Sequence, residues 1–414
     1  MIFRARTILP ISQSPVENGA VVIPGNRILA VGAWPDLKPG AGGKITDLGD
    51  VILLPGLVNA HCHLDYTDMA GQLPPPKKFT DWIAAITAAK LARSRADYAR
   101  SWLRGAQMLL KTGVTTVADI EAAPDLLPDV WDATPLRVFS FLEMTGIRAR
   151  RNPREILREA VAKIDSLAHP RSRAFLSPHA PYSTLPELLK LAADISRKRK
   201  WRVCTHVAES DQEFEMFTKA RGAIHAWLRR NERDNSDCGL GSPVEHLARA
   251  GMLGENLLAI HVNYLARGDA RLLGENRVHV VHCPRSHEYF RHSAFPRKRL
   301  AAAGVNVCLG TDSLATVLKT GGQKPELDLL AEMRALAAKD RTISSATILH
   351  MATVSGAKAL GMTGQIGELS KNAFADLIAI PFAGKTTEAA EAVVNFTGGV
   401  HASMIGGKWA IPPN

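Results

Sequence analysis

Between about residues 57 and 313, short apolar or β-branched runs alternate with longer segments of helical period, the pattern of repeated βα units. Eight such runs occur, at 57–64, 114–120, 136–144, 173–179, 202–209, 257–265, 278–286 and 305–313. Eight parallel strands with intervening helices close into a (β/α)₈ barrel, whose chemistry sits where strands end and the following loops begin. In the helix before the second strand, Asp97 is placed to cap, Trp102, Met108 and Leu109 lie near one face, and Gly113 ends the element. The stretch 68–91 is longer than a βα loop needs, carries Pro74-Pro75-Pro76 and turns amphipathic around Trp82. It reads as a cap over the barrel mouth or as a plain surface insertion.

Outside the barrel, strand-like runs at 19–23, 27–31 and 51–54 are separated by Gly, Pro and Asn turns, and 375–380 and 400–411 have the same character around a Gly406-Gly407 turn. Both chain ends are therefore expected to pair in one small β-sandwich domain, 1–55 with 365–414, leaving 56–364 as the catalytic barrel. The length agrees: 414 residues exceed one compact core but suit a barrel of roughly 250 residues plus an appended domain. With 46% apolar and 22% charged residues, the chain has ordinary globular composition and should fold throughout.

A formal net charge of +11 permits attraction to nucleic acid, anionic lipid or an acidic metabolite. The basic residues are scattered along presumed helix faces, as at Arg93, Arg95, Arg100 and Arg104, rather than arranged in the aromatic-interleaved pattern of a single-strand binder. That speaks against a nucleic-acid or membrane partner and for a solvated surface. Five cysteines, an odd number without framework spacing, read as reduced core thiols. Met1-Ile2-Phe3-Arg4-Ala5-Arg6 lacks the apolar core of a secretory signal, and no stretch reaches the ~18 apolar residues of a membrane span. A cytoplasmic protein is expected, and a homodimer is allowed.

His61 and His63 stand two apart on the first run, so strand period puts both on one face with Cys62 on the other. His206 ends the fifth run, His261 lies in the sixth and Asp312 ends the eighth. Each has an ordinary alternative, an interior histidine or a helix-capping aspartate, but such coincidences at one barrel rim favour a metal centre. Three neutral imidazoles and one carboxylate suit Zn²⁺, or Fe²⁺ as the alternative, with a position left for water. The His/Cys/Cys deaminases are excluded, because no Pro-Cys-x-x-Cys string occurs.

The stretches Pro55-Gly56-Leu57-Val58-Asn59-Ala60-His61-Cys62-His63-Leu64, Thr112-Gly113-Val114-Thr115-Thr116-Val117-Ala118-Asp119, Ser177-Pro178-His179-Ala180-Pro181-Tyr182-Ser183, His206-Val207-Ala208-Glu209, Gly310-Thr311-Asp312-Ser313 and Ala375-Asp376-Leu377 resemble the amidohydrolase superfamily. Within it the chain is similar to the branch holding adenosine, S-adenosylhomocysteine and aminodeoxyfutalosine deaminases, guanine deaminase and the triazine hydrolases. The resemblance implies one divalent ion on His61, His63, His206 and Asp312. Asp312 would also take a proton from the bound water, His261 would orient that water, and Glu209 would protonate a ring nitrogen. His179 would touch substrate; Trp82, Glu143, Arg285 and His287 are the other expected substrate contacts.

Binuclear relatives carry a lysine on the fourth strand. The run 173–179 has none, so the resemblance implies a single ion. The seventh run departs from the His-Asn-Pro and Ser-Asn pattern of related deaminases, reading His282-Cys283-Pro284-Arg285-Ser286-His287 and continuing to Arg291 and His292. That basic cluster is expected either to bind a substrate carboxylate or phosphate or to be a solvated loop. The expected reaction is hydrolytic deamination of an aminopurine nucleoside with an acidic tail, releasing ammonia. Guanine deamination, loss of another group from a triazine-like ring, and a non-catalytic scaffold are the alternatives.

Overall fold

Every one of the eight predicted runs becomes a strand, and the eight pair in parallel in chain order. The structure, a computed structural model, describes residues 1–37, 43–147, 151–319 and 324–413. Numbered along the chain, five strands precede the barrel: β1 (Ile2–Ile8), β2 (Val16–Val22), β3 (Ala30–Ala33), β4 (Ile45–Asp47) and β5 (Val51–Pro55). The barrel strands are β6 (Leu57–Cys62), β7 (Val114–Glu121), β8 (Arg137–Met144), β9 (Arg173–Pro178), β10 (Val203–Val207), β11 (Leu257–His261), β12 (His279–His282) and β13 (Asn306–Leu309). After the barrel come β14 (Leu377–Pro381), β15 (Ala402–Ile405) and β16 (Lys408–Ile411).

Residues on β6 to β13 alternate between two apolar layers. Val58, Ala118, Ile120, Phe139, Phe141, Phe175, Cys204, Leu258, Ile260, Val281 and Cys308 fill the barrel interior. Leu57, Val117, Val138, Leu142, Leu176, Val203, Leu257, Ala259, Val280 and Val307 face the surrounding helices. All five cysteines are buried and unbridged.

The seam between β6 and β13 closes through few but well-placed bonds. Thr311 N donates to the His61 carbonyl at 2.9 Å, and the Asn59 side chain exchanges bonds with Thr311, Nδ2 to Oγ1 at 2.8 Å and Thr311 N to Oδ1 at 3.1 Å. Gly310 is required at this seam, since a Cβ there would lie 2.8 Å from both the Cβ and the carbonyl oxygen of His61.

Most of the strands stop earlier than the apolar runs suggest. Pro284 opens a helix, Pro284–Tyr289, where a strand to residue 286 is expected. At three other ends non-glycine residues with positive φ break the extended backbone: Ala208 (50°), His261 with Val262 (75° and 51°) and Asp312 (53°). Such conformations cost of order 1–3 kcal/mol each and gather at functional sites. The helix before β7 is Arg95–Lys111, and its cap is Ser94 rather than Asp97. Ser94 Oγ accepts from Asp97 N at 3.2 Å while Asp97 Oδ2 accepts from Ser94 N at 2.9 Å, a reciprocal capping box.

Both chain ends do share one β-layer, on a single path β16-β15-β14-β5-β1-β2-β3 with β4 added on β1. The expected strands miss β1 and β4. Along β1 the outward Arg4 and Arg6 alternate with Phe3 and Ala5, which pack in one core with Val21, Leu53, Leu377 and Met404. Barrel and terminal sheet are joined by a buried ion pair, Arg137 Nη2 to Asp376 Oδ2 at 3.1 Å, with Asp376 Oδ1 accepting from Gly406 N at 2.7 Å. Arg137 also lies over the Phe374 ring. Removing one partner leaves the other charge buried, so Asp376→Ala should lower unfolding free energy by about 3–5 kcal/mol, read by denaturant titration.

Candidate metal centre and active site

His61, His63 and His206 converge, with one ring nitrogen from each lying within 4.8 Å of the others. A register shift between Asn59 and Cys62 makes this possible on β6. After it, His61 and His63 face inward while Cys62 packs on the helix side. Asp312 stands opposite, its Oδ1 3.5 Å from His61 Nε2 and 3.6 Å from His63 Nε2.

Their remaining polar atoms are fixed from outside. His206 Nδ1 donates to the His179 carbonyl at 2.9 Å, which turns Nε2 toward the centre. Asp312 Oδ2 accepts from Ser286 Oγ at 2.6 Å and Thr316 Oγ1 at 3.2 Å, leaving Oδ1 inward. His61 Nε2 is buried with no hydrogen-bond partner, an orphan that a bound ion would satisfy. Burial and then the neighbouring His61 push His63 down to about 3, and burial, with His179 next, holds His206 well below the usual range. Burial acts to raise the Asp312 carboxyl, but the adjacent His61 and the other surrounding imidazoles hold it well below its ordinary value. Neutral imidazoles beside an ionised carboxylate are the ligand forms of such groups, and His61, His63 and His206 could hold a metal ion.

Two further groups reach the centre because the backbone turns there. His261 follows the inward Ile260, and its positive φ brings its ring within 5.8 Å of His61 and 5.5 Å of His206, centroid to centroid. Glu209, two residues past β10, has Oε1 3.6 Å from His261 Nε2. Its backbone is clamped, with Glu209 N donating to Glu213 Oε2 and the Glu209 carbonyl accepting from Asn263 Nδ2, each at 2.9 Å. Burial foremost, then the charges of Asp312 and Glu213, push the Glu209 carboxyl well above its ordinary value.

These side chains close one end of a cavity of about 240 Å³. His179 lies in its wall with Nδ1 2.6 Å from Ser183 Oγ. The 68–91 stretch does cover the mouth: the helix Phe79–Leu91 lays Trp82, Ile83, Ile86 and Lys90 along the cavity. Glu143, inward on β8, meets Lys90 Nζ at 3.4 Å. Burial raises the Glu143 carboxyl, but Lys90, His179 and His63 together outweigh it and hold Glu143 at about 2. Lys90 is absent from the expected contacts, although it stands four residues after Ile86 on one helical face, a spacing that identifies it. Trp227 and Tyr66 also line the cavity. Trp227 comes from the helix Ala223–Arg230 and carries no local signal.

Arg285 and His287 are not cavity residues. Arg285 is bound through Nε and its backbone N to the buried Glu332, and its guanidinium donates to the Glu326 carbonyl. His287 Nδ1 lies 3.0 Å from Asn263 Oδ1, one residue layer behind the site. The cause is the early helix at Pro284: it directs Ser286 to Asp312 and turns the basic residues away.

The model of the amidohydrolase family matches residues 52–410, the barrel together with the returning strands. The chain belongs to the amidohydrolase family. This amidohydrolase is 33% identical over 384 residues to the 5-methylthioadenosine/S-adenosylhomocysteine deaminase of Syntrophobacter fumaroxidans, covering 88% of this chain and 80% of that protein. To the 5′-deoxyadenosine deaminase of Methanothermobacter thermautotrophicus it is 28% identical over 377 residues, covering 88% and 81%. Its fold superposes on Helicobacter pylori aminofutalosine deaminase in complex with methylthio-coformycin with a TM-score of 0.86, at 21% identity, covering 99% of this chain and 100% of that one. An adenosine deaminase from Xanthomonas campestris with bound zinc gives 0.82 at 24% identity, covering 99% and 92%. Among the described residues, no helix is long and apolar enough to cross a membrane.

Proposed function

We propose that this amidohydrolase hydrolytically deaminates an adenine nucleoside whose 5′ substituent is small and uncharged. The observation that carries the reading is the pairing, at one cavity end, of a four-residue ligand set with a second carboxylate, Glu209, outside that set. Three imidazoles and one carboxylate suit Zn²⁺. A divalent ion on His61, His63, His206 and Asp312 supplies Lewis acidity, lowering the pKa of water toward neutrality.

The chain's own groups do the rest. Asp312 accepts a proton from the attacking water. Glu209, kept protonated by its buried position, gives its proton to the ring nitrogen beside the amine-bearing carbon, which makes that carbon electrophilic. His261 hydrogen-bonds the incoming oxygen. As the carbon–nitrogen bond breaks, the proton on Asp312 passes to the departing amine and the hydroxyl proton left on the carbon's oxygen returns to Glu209, so water and aminopurine become oxopurine and ammonia with both carboxyl groups restored.

The wall of the cavity decides the tail. Among the described lining residues Lys90 is the only lysine or arginine, and Glu143 neutralises it. Trp82, Ile83, Ile86, Ile147 and Trp227 are apolar, and about 240 Å³ lies below the usual range of ligand pockets. The expected acidic tail therefore finds no partner once Arg285 is held by Glu332. Placing an unpaired carboxylate there costs at least about 3 kcal/mol, so kcat/KM for 5′-methylthioadenosine or 5′-deoxyadenosine should exceed that for S-adenosylhomocysteine by about 100-fold or more. Ammonia release and loss of adenine absorbance, followed on the zinc-loaded protein, measure this. Equal rates would overturn the tail assignment; activity on no adenine nucleoside would overturn the deaminase reading.

A further inference from the structure

The basic cluster turned away from the metal centre lines a second cavity. This groove, of about 850 Å³, runs between the segment 282–299 and the helix Leu329–Lys339, and it shares no lining residue with the reaction cavity. Five basic side chains line it, Arg291, Arg297, Lys298, Arg299 and Lys339, against two carboxylates, Glu288 and Asp340. Both carboxylates are taken: Asp340 pairs with Arg297 at 2.6 Å and Glu288 with Lys339 at 3.1 Å. Arg299 donates to the carbonyls of Leu265 and Ala266, which carry no counter-charge. The side chains of Arg291 and Lys298 have no ion-pair or hydrogen-bond partner among the described residues. Two positive charges, Arg291 and Lys298, are thus left without a counter-ion around one concavity.

Two further atoms point to a ligand. His282, only 3% exposed, has Nδ1 buried with no hydrogen-bond partner, and so does His292 at Nε2. Both residues line the groove. The other ring nitrogen of His292 is 3.1 Å from the Tyr264 hydroxyl, so the free one is aimed elsewhere by a fixed ring. Buried polar atoms are paired as a rule, and an orphan beside a cavity is the mark of a missing partner. Around them the floor is apolar. Phe295 stacks on His282 with centroids 3.8 Å apart and planes 12° apart, and Pro284 and Leu336 continue that surface. Such a site offers a guanidinium and an ammonium to an acidic group, with two unpaired imidazole nitrogens buried behind them, and an apolar face to the body that bears it.

We propose that this groove is a second, non-catalytic binding site for a small organic anion, a carboxylate or phosphate carried on an apolar body. It is independent of the reaction at the metal centre, and its test does not require the deaminase reading to hold. Phenyl phosphate and benzoate serve as probes, with phenol as the uncharged control, titrated calorimetrically into the zinc-loaded protein. One saturable site per chain is expected for at least one of the two anions, and the tighter of them identifies the acidic group. The Arg291→Ala/Lys298→Ala double variant should bind that anion about tenfold or more weakly, with phenol unaffected and deaminase kcat/KM unchanged. Saturating adenosine should leave the anion affinity where it was. No saturable anion binding to the unaltered protein, undiminished binding to the double variant, or displacement of the anion by adenosine would each overturn the proposal.

Discussion

Replacing Glu209 by Gln should lower turnover by about 10³-fold or more while leaving metal content and nucleoside binding close to their original values. The substitution keeps the size of the side chain and its place two residues past β10, but an amide has no acidic proton to transfer. General acid catalysis contributes about 10²–10⁴-fold, and the upper part of that range applies because an aminopurine ring is a poor electrophile until a ring nitrogen is protonated. The proposed role is distinct from ligation. Glu209 Oε1 meets His261, whereas the ligand nitrogens of His61, His63 and His206 gather with Asp312. The measurement is ammonia release beside metal analysis of the same preparation. Full activity would remove Glu209 from the reaction; loss of the metal would make it part of the ligand shell.

Stripping the ion should abolish activity and also loosen the barrel seam, with zinc restoring both. Without the ion, His61 Nε2 has nothing to bond, and Asp312, which carries a positive φ next to the seam, loses the attraction that repays its strained backbone. An ion at a thousandfold excess over its dissociation constant stabilises the folded state by about 4 kcal/mol. Chelated protein should accordingly lose about 4 kcal/mol of unfolding free energy, read as a lower denaturant midpoint at unchanged slope, and titrated zinc should return it. His206→Ala should reproduce the apo behaviour and resist rescue. An unchanged midpoint after verified metal loss would mean that these residues do not bind the ion preferentially in the folded state.

Much of the site is legible along the chain because barrel geometry converts order into place. A residue at the end of an apolar run in a βα repeat lies on the rim wherever it falls in the sequence, so His61, His63, His206 and Asp312 can be grouped although residues as far apart as 61 and 312 are involved. The amphipathic helix around Trp82 follows from a helical period, but that period left a cap over the mouth and a plain surface insertion equally open. The same reasoning fails at Arg285. Its charge and its nearness to strand seven suggest a substrate contact, but sequence proximity does not say which face of a new helix it occupies, and Glu332, 47 residues on, holds it elsewhere.

Local pattern by itself determined the eight barrel strands, their parallel order and the residue types available at the rim, since these depend on periodicity and on the chemistry of single side chains. Only the tertiary structure decided the inward turn of His261 and the register shift that aims His61, because both depend on backbone conformations that period-two alternation does not encode. It also decided the charge of the two cavities. Whether a cation is free or spent depends on its counter-ion across the fold, as with Lys90 on Glu143 in one cavity and Arg291 and Lys298 unmatched in the other.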